Sequence, residues 1–351
     1  MSRTIVVSGY GTFVGKRSER LLLRNAAAAR KPKGDGEAAP APPLEEEIPL
    51  FRVGEILVPP RGVTISSDLV EEAVSRGIPI TFLSSNGQPY AMLTSPMLTA
   101  TTQTRRAQLR ALENEKGAQL VKKLVGAKLR NQASLLVYFA KAERDEPTRR
   151  ARVLEAAEEV RKARKLALAV EGSRPDDVRE RVLGHEGLGA RAYWNGVRAL
   201  LEGRCEFEGR KGRGAVDPVN ALLNYGYGIL SSRVWAAVML AGLDPFAGFL
   251  HTDRPGKPSL VLDLMEEMRA PVVDRAVFAH VRLGEPVRFD GKLLHQDTRR
   301  RLADAVIERL EAKVTVRGKR LQLGSVLQRQ ARSVAMFLRG EGEFRPFSMT
   351  W

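Results

Sequence analysis

The sequence holds almost no cysteine, no long apolar run and no matching share of acidic residues. One cysteine, Cys205, excludes an intrachain disulfide and any cysteine-rich zinc site. Nothing therefore points to an oxidising compartment, and a cytoplasmic location is expected. The start, Met1 to Tyr10, lacks the apolar core of a signal peptide, and no later run approaches the length that spans a bilayer. No lipidation signal precedes Trp351, and no basic amphipathic helix carries a strong aromatic face. A soluble protein without a membrane partner is the expectation.

The acidic deficit has a positive counterpart. Lys and Arg number 57 against 41 Asp and Glu, a formal charge of +16. Such an excess favours polyanions, because each phosphate neutralised releases condensed counterions, and nucleic acid is favoured over a membrane surface. At 351 residues with 43% apolar content, the chain is long enough for two domains with real cores.

Residues 4–23 and 48–94 read mainly as short strands, among them Thr4-Ile-Val-Val, Arg20-Leu-Leu-Leu-Arg, Glu55-Ile-Leu-Val, Gly62-Val-Thr-Ile and Ile78-Pro-Ile-Thr-Phe-Leu. One helix interrupts them, capped by Ser67 or Asp68 and closed near Gly77. Asn86-Gly87 is the signal for a tight hairpin turn leading to Tyr90-Ala-Met-Leu. Between the strands, proline, glycine, alanine and charge dominate Asn25 to Glu47, which predicts a mobile loop insertion at about 25–47.

From about Thr102 the period turns helical. The predicted fold class is α+β: a small N-terminal β-rich domain over 1–101, then a larger all-helical C-terminal domain over 102–351. Leu109, Leu112, Leu120, Leu124, Lys128, Leu135 and Phe139 mark a long or broken helix with Gly117 and Gly126 as its weak points. Basic residues crowd 105–165, either as a solvated face or as phosphate contacts. A helix opening at Pro175 carries the apolar stripe Val178, Val182, Leu183, Ala190, Tyr193 and Val197. Glu186 falls in that stripe, where an unpaired carboxylate is costly, so it needs either an arginine partner or a metal. Asp217-Pro218 starts a helix that is apolar nearly all round, Gly242 ends it, and the chain then delivers His251.

Ser259 is a candidate N-cap for a helix from about Leu260, on which Asp263 and Glu266 share a face. His251, returned over that helix by the turn from Arg254 to Pro258, adds an imidazole to oxygen donors. That set suits Mn²⁺ or Mg²⁺ better than structural zinc. The competing reading is an ordinary surface cluster of His, Asp and Glu.

His185-Glu186-Gly187-Leu-Gly-Ala190-Arg-Ala-Tyr193-Trp194, Asp217-Pro218-Val-Asn220-Ala-Leu-Leu-Asn224-Tyr225-Gly-Tyr227, Gly248-Phe-Leu-His251 and Ser259-Leu-Val-Leu-Asp263-Leu-Met-Glu266 together resemble the ordered signature of the first-numbered CRISPR-associated protein, the spacer integrase. Ala127-Lys128-Leu129-Arg130-Asn131-Gln132 and the β-rich start extend the resemblance over nearly the whole chain. It implies a metal-dependent DNA endonuclease and integrase that inserts short spacers into a CRISPR array by attack of a DNA 3′-hydroxyl on a repeat phosphodiester. The catalytic metal ligands it implies are Glu186, His251 and Glu266, for Mn²⁺ or Mg²⁺, with Asp263 as a supporting or alternate ligand. Arg269, Arg254, Lys257 and Lys128 become candidates for phosphate binding. The implied partners are double-stranded DNA (prespacer and repeat), a second copy of the chain joined through the β part, and a small second-numbered CRISPR-associated protein in a heterohexameric complex. The insertion at 25–47 departs from the family pattern. Two rivals stay open: a non-catalytic helical nucleic-acid-binding assembly protein, in which Glu186 and His251 form a structural pair, and a metal-independent RNA-processing nuclease.

Overall fold

The structure, a computed structural model, describes residues 3–7, 10–25, 44–85, 87–95, 101–212 and 217–351. The chain divides into two compact units, Met1–Met97 and Leu98–Trp351. No helix among the described residues is long and apolar enough to cross a membrane.

The first unit is built on two four-stranded sheets. In one, β1 (Arg3–Val6), β5 (Val53–Val58) and β7 (Ile80–Leu83) run parallel, and β8 (Pro89–Leu93) closes the edge antiparallel to β7. In the other, β2 (Thr12–Arg17) and β3 (Arg20–Asn25) form a hairpin flanked by β4 (Leu44–Pro49) and β6 (Val63–Ile65). Apolar residues from both sheets, including Val14, Leu21, Ile56 and Ile80, are fully buried in one core with Leu69 of helix α1 (Ser67–Ser75). That burial fixes the strand register, since a one-residue slip would expose the alternate set.

Two expectations change here. The segment 25–47 is not loop throughout: Asn25 ends β3, and 44–47 belong to β4. There Glu47 receives Arg17 at 2.8 Å and Glu45 receives Arg24 at 2.7 Å, so the acidic run serves cross-strand pairing. Its residues 26–43 lie outside the described residues, as does Asn86 of the expected turn. Helix α1 is capped at Ser66, a residue or two earlier than the composition suggests, and it is followed by Gly77 at φ +69°.

The second unit is mainly helical: α2 (Thr101–Ala111), α3 (Glu115–Ala140), α4 (Pro147–Leu168), α5 (Pro175–Leu201), α6 (Pro218–Leu240), α7 (Ser259–Met268), α8 (Arg275–Arg282), α9 (Gln296–Glu311) and α10 (Leu323–Arg339). A π-helical segment, Arg269–Asp274, joins α7 to α8. The unit also carries two small hairpins, β9 (Phe289–Asp290) with β10 (Leu293–Leu294), and β11 (Lys313–Val316) with β12 (Lys319–Gln322). Gly117 and Gly126 do not break α3; the break falls at 112–114, where the Asn114 side chain accepts from Lys116 N at 3.0 Å. The glycines allow close packing instead. A Cβ at Gly126 would meet Leu168 of α4 at 2.8 Å, and one at Gly189 would meet Leu129 of α3 at 2.5 Å. The latter contact brings α5 close against α3 beside Lys128 and Glu186. The irregular end, 340–351, is packed: Phe344, Phe347 and Met349 are buried.

Candidate active site

The histidine loop is organised by one carboxylate. Asp263 on α7 is fully buried, and its Oδ2 accepts the backbone N–H of Phe249 at 2.6 Å and of Leu250 at 2.9 Å. Its Oδ1 accepts the backbone N–H of His251 at 2.9 Å and faces the ring Nδ1 at 2.7 Å. With Nδ1 so engaged, the tautomer that carries its proton there is favoured and Nε2 keeps its lone pair. Gly248 permits the approach, because a Cβ on it would lie 2.5 Å from Ser259 Cβ. Ser259 is not the cap expected from the sequence. Pro258 holds that position, and Ser259 Oγ donates instead to Thr252 O at 3.2 Å, a second tie on the same loop.

One helical turn further along α7, Glu266 turns to a different set of partners. Its Oε2 lies 2.8 Å from Lys128 Nζ and its Oε1 3.2 Å from Arg269 Nε. The Lys128 ammonium also meets Glu186 Oε1 at 2.6 Å, so one cation on α3 bridges a carboxylate from α5 and a carboxylate from α7. Burial pushes the Glu266 carboxyl up, but Arg269 and Lys128 outweigh it and hold the group at about 2. His251 contributes least and in the same direction, which places its ring within electrostatic reach of Glu266. For Lys128 burial works toward neutrality, and Glu266 and Glu186 overcome it. The ammonium stays charged.

The sequence anticipated an arginine or a metal for Glu186. The structure supplies a lysine. Its position in the apolar stripe of α3 was the available signal, since a lysine at a core-facing position needs a carboxylate just as a glutamate there needs a cation. Of the phosphate candidates, Lys128 and Arg269 join the cluster. Arg254 is exposed on the loop, and Lys257 reaches Thr252 O at 3.4 Å, so neither enters it.

Three further groups were not anticipated. Asn131 donates from Nδ2 to Glu267 O at 2.8 Å and accepts Met349 N at 2.9 Å, tying the end of the chain to α7. Glu267 accepts Phe347 N at 2.8 Å and Gln330 Nε2 at 3.0 Å. Asp274, pushed up by burial, accepts the hydroxyls of Tyr193 at 2.7 Å and of Tyr227. Arg269 lies over the Tyr227 ring, 4.7 Å from its centre.

Glu186, Glu266 and the Nε2 of His251 are donors suited to a hard divalent cation. Among the described residues, no three His, Cys, Asp or Glu side chains are grouped closely enough to hold one. The fold does bring two carboxylates onto one positive charge, the ammonium, and Glu266 Oε2 is buried with that ion pair but no well-formed hydrogen bond. Those observations fit a cation site that Lys128 balances.

Carboxylates and an imidazole gathered around buried cations in a strongly basic chain point to the class of nucleic-acid-processing enzymes. The family is defined more sharply. Residues 5–308 match the family model described as CRISPR associated protein Cas1, and the chain belongs to that family. A protein of Archaeoglobus fulgidus named CRISPR-associated endonuclease Cas1 1 is 34% identical, with 99% of each chain covered. Its namesake in Francisella tularensis subsp. novicida is also 34% identical over 99% of each. Among solved structures, a casposase bound to integration product superposes with a TM-score of 0.75 at 21% identity, covering 97% of this chain and 92% of that one. A CAS1 protein from Thermotoga maritima gives 0.72 at 18% identity, covering 97% and 98%. These two share the fold.

Proposed function

We propose that the protein is a metal-dependent DNA endonuclease and integrase that inserts short DNA segments into a CRISPR array, with Glu186, His251 and Glu266 holding Mn²⁺ or Mg²⁺. The observation that carries this reading is the shared cation: Glu186 and Glu266, from different helices, converge on Lys128 beside a histidine oriented by Asp263. When bound, the metal would polarise a phosphoryl oxygen and stabilise the entering or leaving oxygen. The chain's own residues do the rest. Asp263 fixes the imidazole and its tautomer, a supporting role that uses both of its oxygens. Arg269 and Lys128 hold phosphate oxygens near the scissile bond, and Arg254 and Lys257 contact the duplex farther out on the loop. The hydroxyl supplied by the DNA end is the nucleophile, so no covalent enzyme intermediate is required.

The reading extends to partners. Double-stranded DNA, as prespacer and as repeat, lies along the basic helical unit, the β-rich unit joins two copies of the chain, and a small second-numbered CRISPR-associated protein completes a heterohexamer in the cytoplasm. About a third (36%) of one chain in a solved Cas6-RT-Cas1–Cas2 complex shares this fold at a TM-score of 0.73, which supports that choice of partner.

The test is integration of a short duplex into a repeat-carrying plasmid, with and without Mn²⁺ and the small partner. Joined product only with metal is expected. The Lys128 ion pairs also favour a second reading, a non-catalytic assembly protein in which Glu186, Lys128 and Glu266 form a structural triad. An inert preparation that binds duplex DNA unaffected by Mn²⁺ would establish that one and overturn the first.

A further inference from the structure

Asn220, Asn224 and Tyr227 fall four and then three residues apart on α6, which sets them on one face. Asn220 Oδ1 accepts Arg210 Nη1 at 2.9 Å and Lys211 N at 2.9 Å, and Asn224 Oδ1 accepts Arg210 Nη2 at 2.6 Å. The two amide nitrogens donate to Gly209 O at 2.8 Å and to Gly212 O at 3.0 Å. The loop is thus gripped on both sides of Arg210. Its guanidinium carbon lies 5.4 Å from the centre of the Tyr227 ring, the ring that Arg269 approaches to 4.7 Å, and Arg269 leads directly to Glu266.

The chemistry of the grip is informative. Arg17, Arg76, Arg149 and Arg339 are all held by carboxylates, which neutralise them. Arg210 is held by two neutral amide oxygens and a main-chain carbonyl, that of Lys211. An amide oxygen fixes the fork of a guanidinium as an aspartate would, but leaves its charge uncancelled. Of the nearby carboxylates, Asp274 already accepts two tyrosine hydroxyls, and Asp217 accepts Asn220 Nδ2 at 3.0 Å. A directed, half-buried guanidinium beside Arg269, with no carboxylate ion pair among the described residues, suits an anionic oxygen from outside the chain.

Building on the strand-transfer reading above, we infer that Arg210 contacts a DNA phosphate in the reacting complex, working with Arg269, and that Asn220 and Asn224 are positioning residues that aim it without discharging it. Tyr227 spaces the two guanidiniums.

The decisive variant is Asn224→Asp. If Arg210 only holds the loop, a carboxylate at 224 keeps the grip on Arg210 while giving up the hydrogen bond to Gly212 O, and activity stays at the wild-type level. If Arg210 serves a phosphate, the same change cancels its charge: kcat/KM for strand transfer falls roughly 10-fold or more, of the order of one charge-assisted hydrogen bond, while the fold stays intact. Arg210→Ala should lose roughly 10- to 100-fold, and Arg210→Lys should recover only part, lacking the fork. Duplexes carrying a neutral methylphosphonate at each position near the junction locate the contact. At one position wild type should lose the same factor, and Arg210→Ala should lose no more. Full activity of Asn224→Asp, or no such position, overturns the inference. Failure of the underlying reading shows separately, as a wild type that gives no product. In that event duplex binding still decides, because Arg210→Ala should lower the salt slope by about 1, and an unchanged slope removes the contact.

Discussion

Replacing Lys128 by Met tests whether the ammonium balances a cation site. Methionine keeps the length and the apolar stem of lysine and removes only the charge. Lys128, Glu186 and Glu266 have side chains 15%, 17% and 4% exposed, so both ion pairs are largely desolvated. Removing one partner of a buried pair costs about 3–5 kcal/mol, because the other charge stays behind. Arg269 still holds Glu266, and Glu186 retains some solvent, so the low end, about 3 kcal/mol, applies. For a unit the size of residues 98–351, each kcal/mol moves Tm by about 2–4 °C, which gives a fall of about 6–12 °C in chelator.

Metal should reverse it. Two carboxylates left facing one another bind a divalent ion better than two already neutralised, and a ligand at a hundredfold excess over its Kd adds about 2.7 kcal/mol. Calorimetry with chelator and then with Mn²⁺ should therefore show the variant melting low in the first and regaining most of the gap in the second, with wild type gaining less. Equal melting in chelator would mean that the pairs carry no stability. An equal Mn²⁺ increment in both proteins would remove the link between Lys128 and the metal.

Glu186→Ala should abolish metal-dependent strand transfer yet lower Tm in chelator by only a few degrees, because Lys128 keeps Glu266; a fall as large as that of Lys128→Met would mark Glu186 as structural. Asp263→Ala removes the acceptor of three backbone amides and of the His251 ring, so Mn²⁺ affinity measured by calorimetric titration should drop about 10- to 100-fold. An unchanged affinity would reassign His251. Glu143 is pushed up by burial, but Arg282, Arg149 and Arg204 outweigh it and hold its carboxyl below the ordinary 4.5. A depressed carboxyl contributes stability in full above that value and loses it as pH falls through the lower folded value. Glu143→Gln should cost about 3–5 kcal/mol at pH 7 and flatten the acid limb of stability against pH, and an unaltered limb would refute the assignment.

The β-to-helix change near residue 100 was visible because strand and helix impose different periods on apolar residues, and burial enforces both. What failed was local chemistry that tertiary contacts override. Glu45 and Glu47 look like loop residues until Arg24 on the adjacent strand β3 and Arg17 on the next strand, β2, are seen to reach them. Gly117 and Gly126 look like helix breakers until Ala111 O and Leu168 are seen pressed against them. Glycine signals either freedom or close approach, and only the neighbouring element says which.

The site was half legible for a related reason. Residues within a turn or two of each other can be placed by spacing alone, so Asp263 and Glu266 on α7 and the return of His251 could be read from one stretch. Their division of labour could not. Asp263 is turned to four donors of the histidine loop, while Glu266, three residues on, is turned to Lys128 and Arg269. A difference of one helical turn separates bracing the histidine loop from meeting the Lys128 and Arg269 charges. The partner of Glu186 lies 58 positions earlier, on a helix whose stripe admits lysine only because α5 and α3 close on Gly189. Spacing within an element therefore identifies which residues can act together, but the sign of the charge that each meets is fixed by packing between elements. That is also why Arg210, from a loop with no motif of its own, reaches Tyr227 beside Arg269 and remains invisible until Asn220 and Asn224 are seen to aim it.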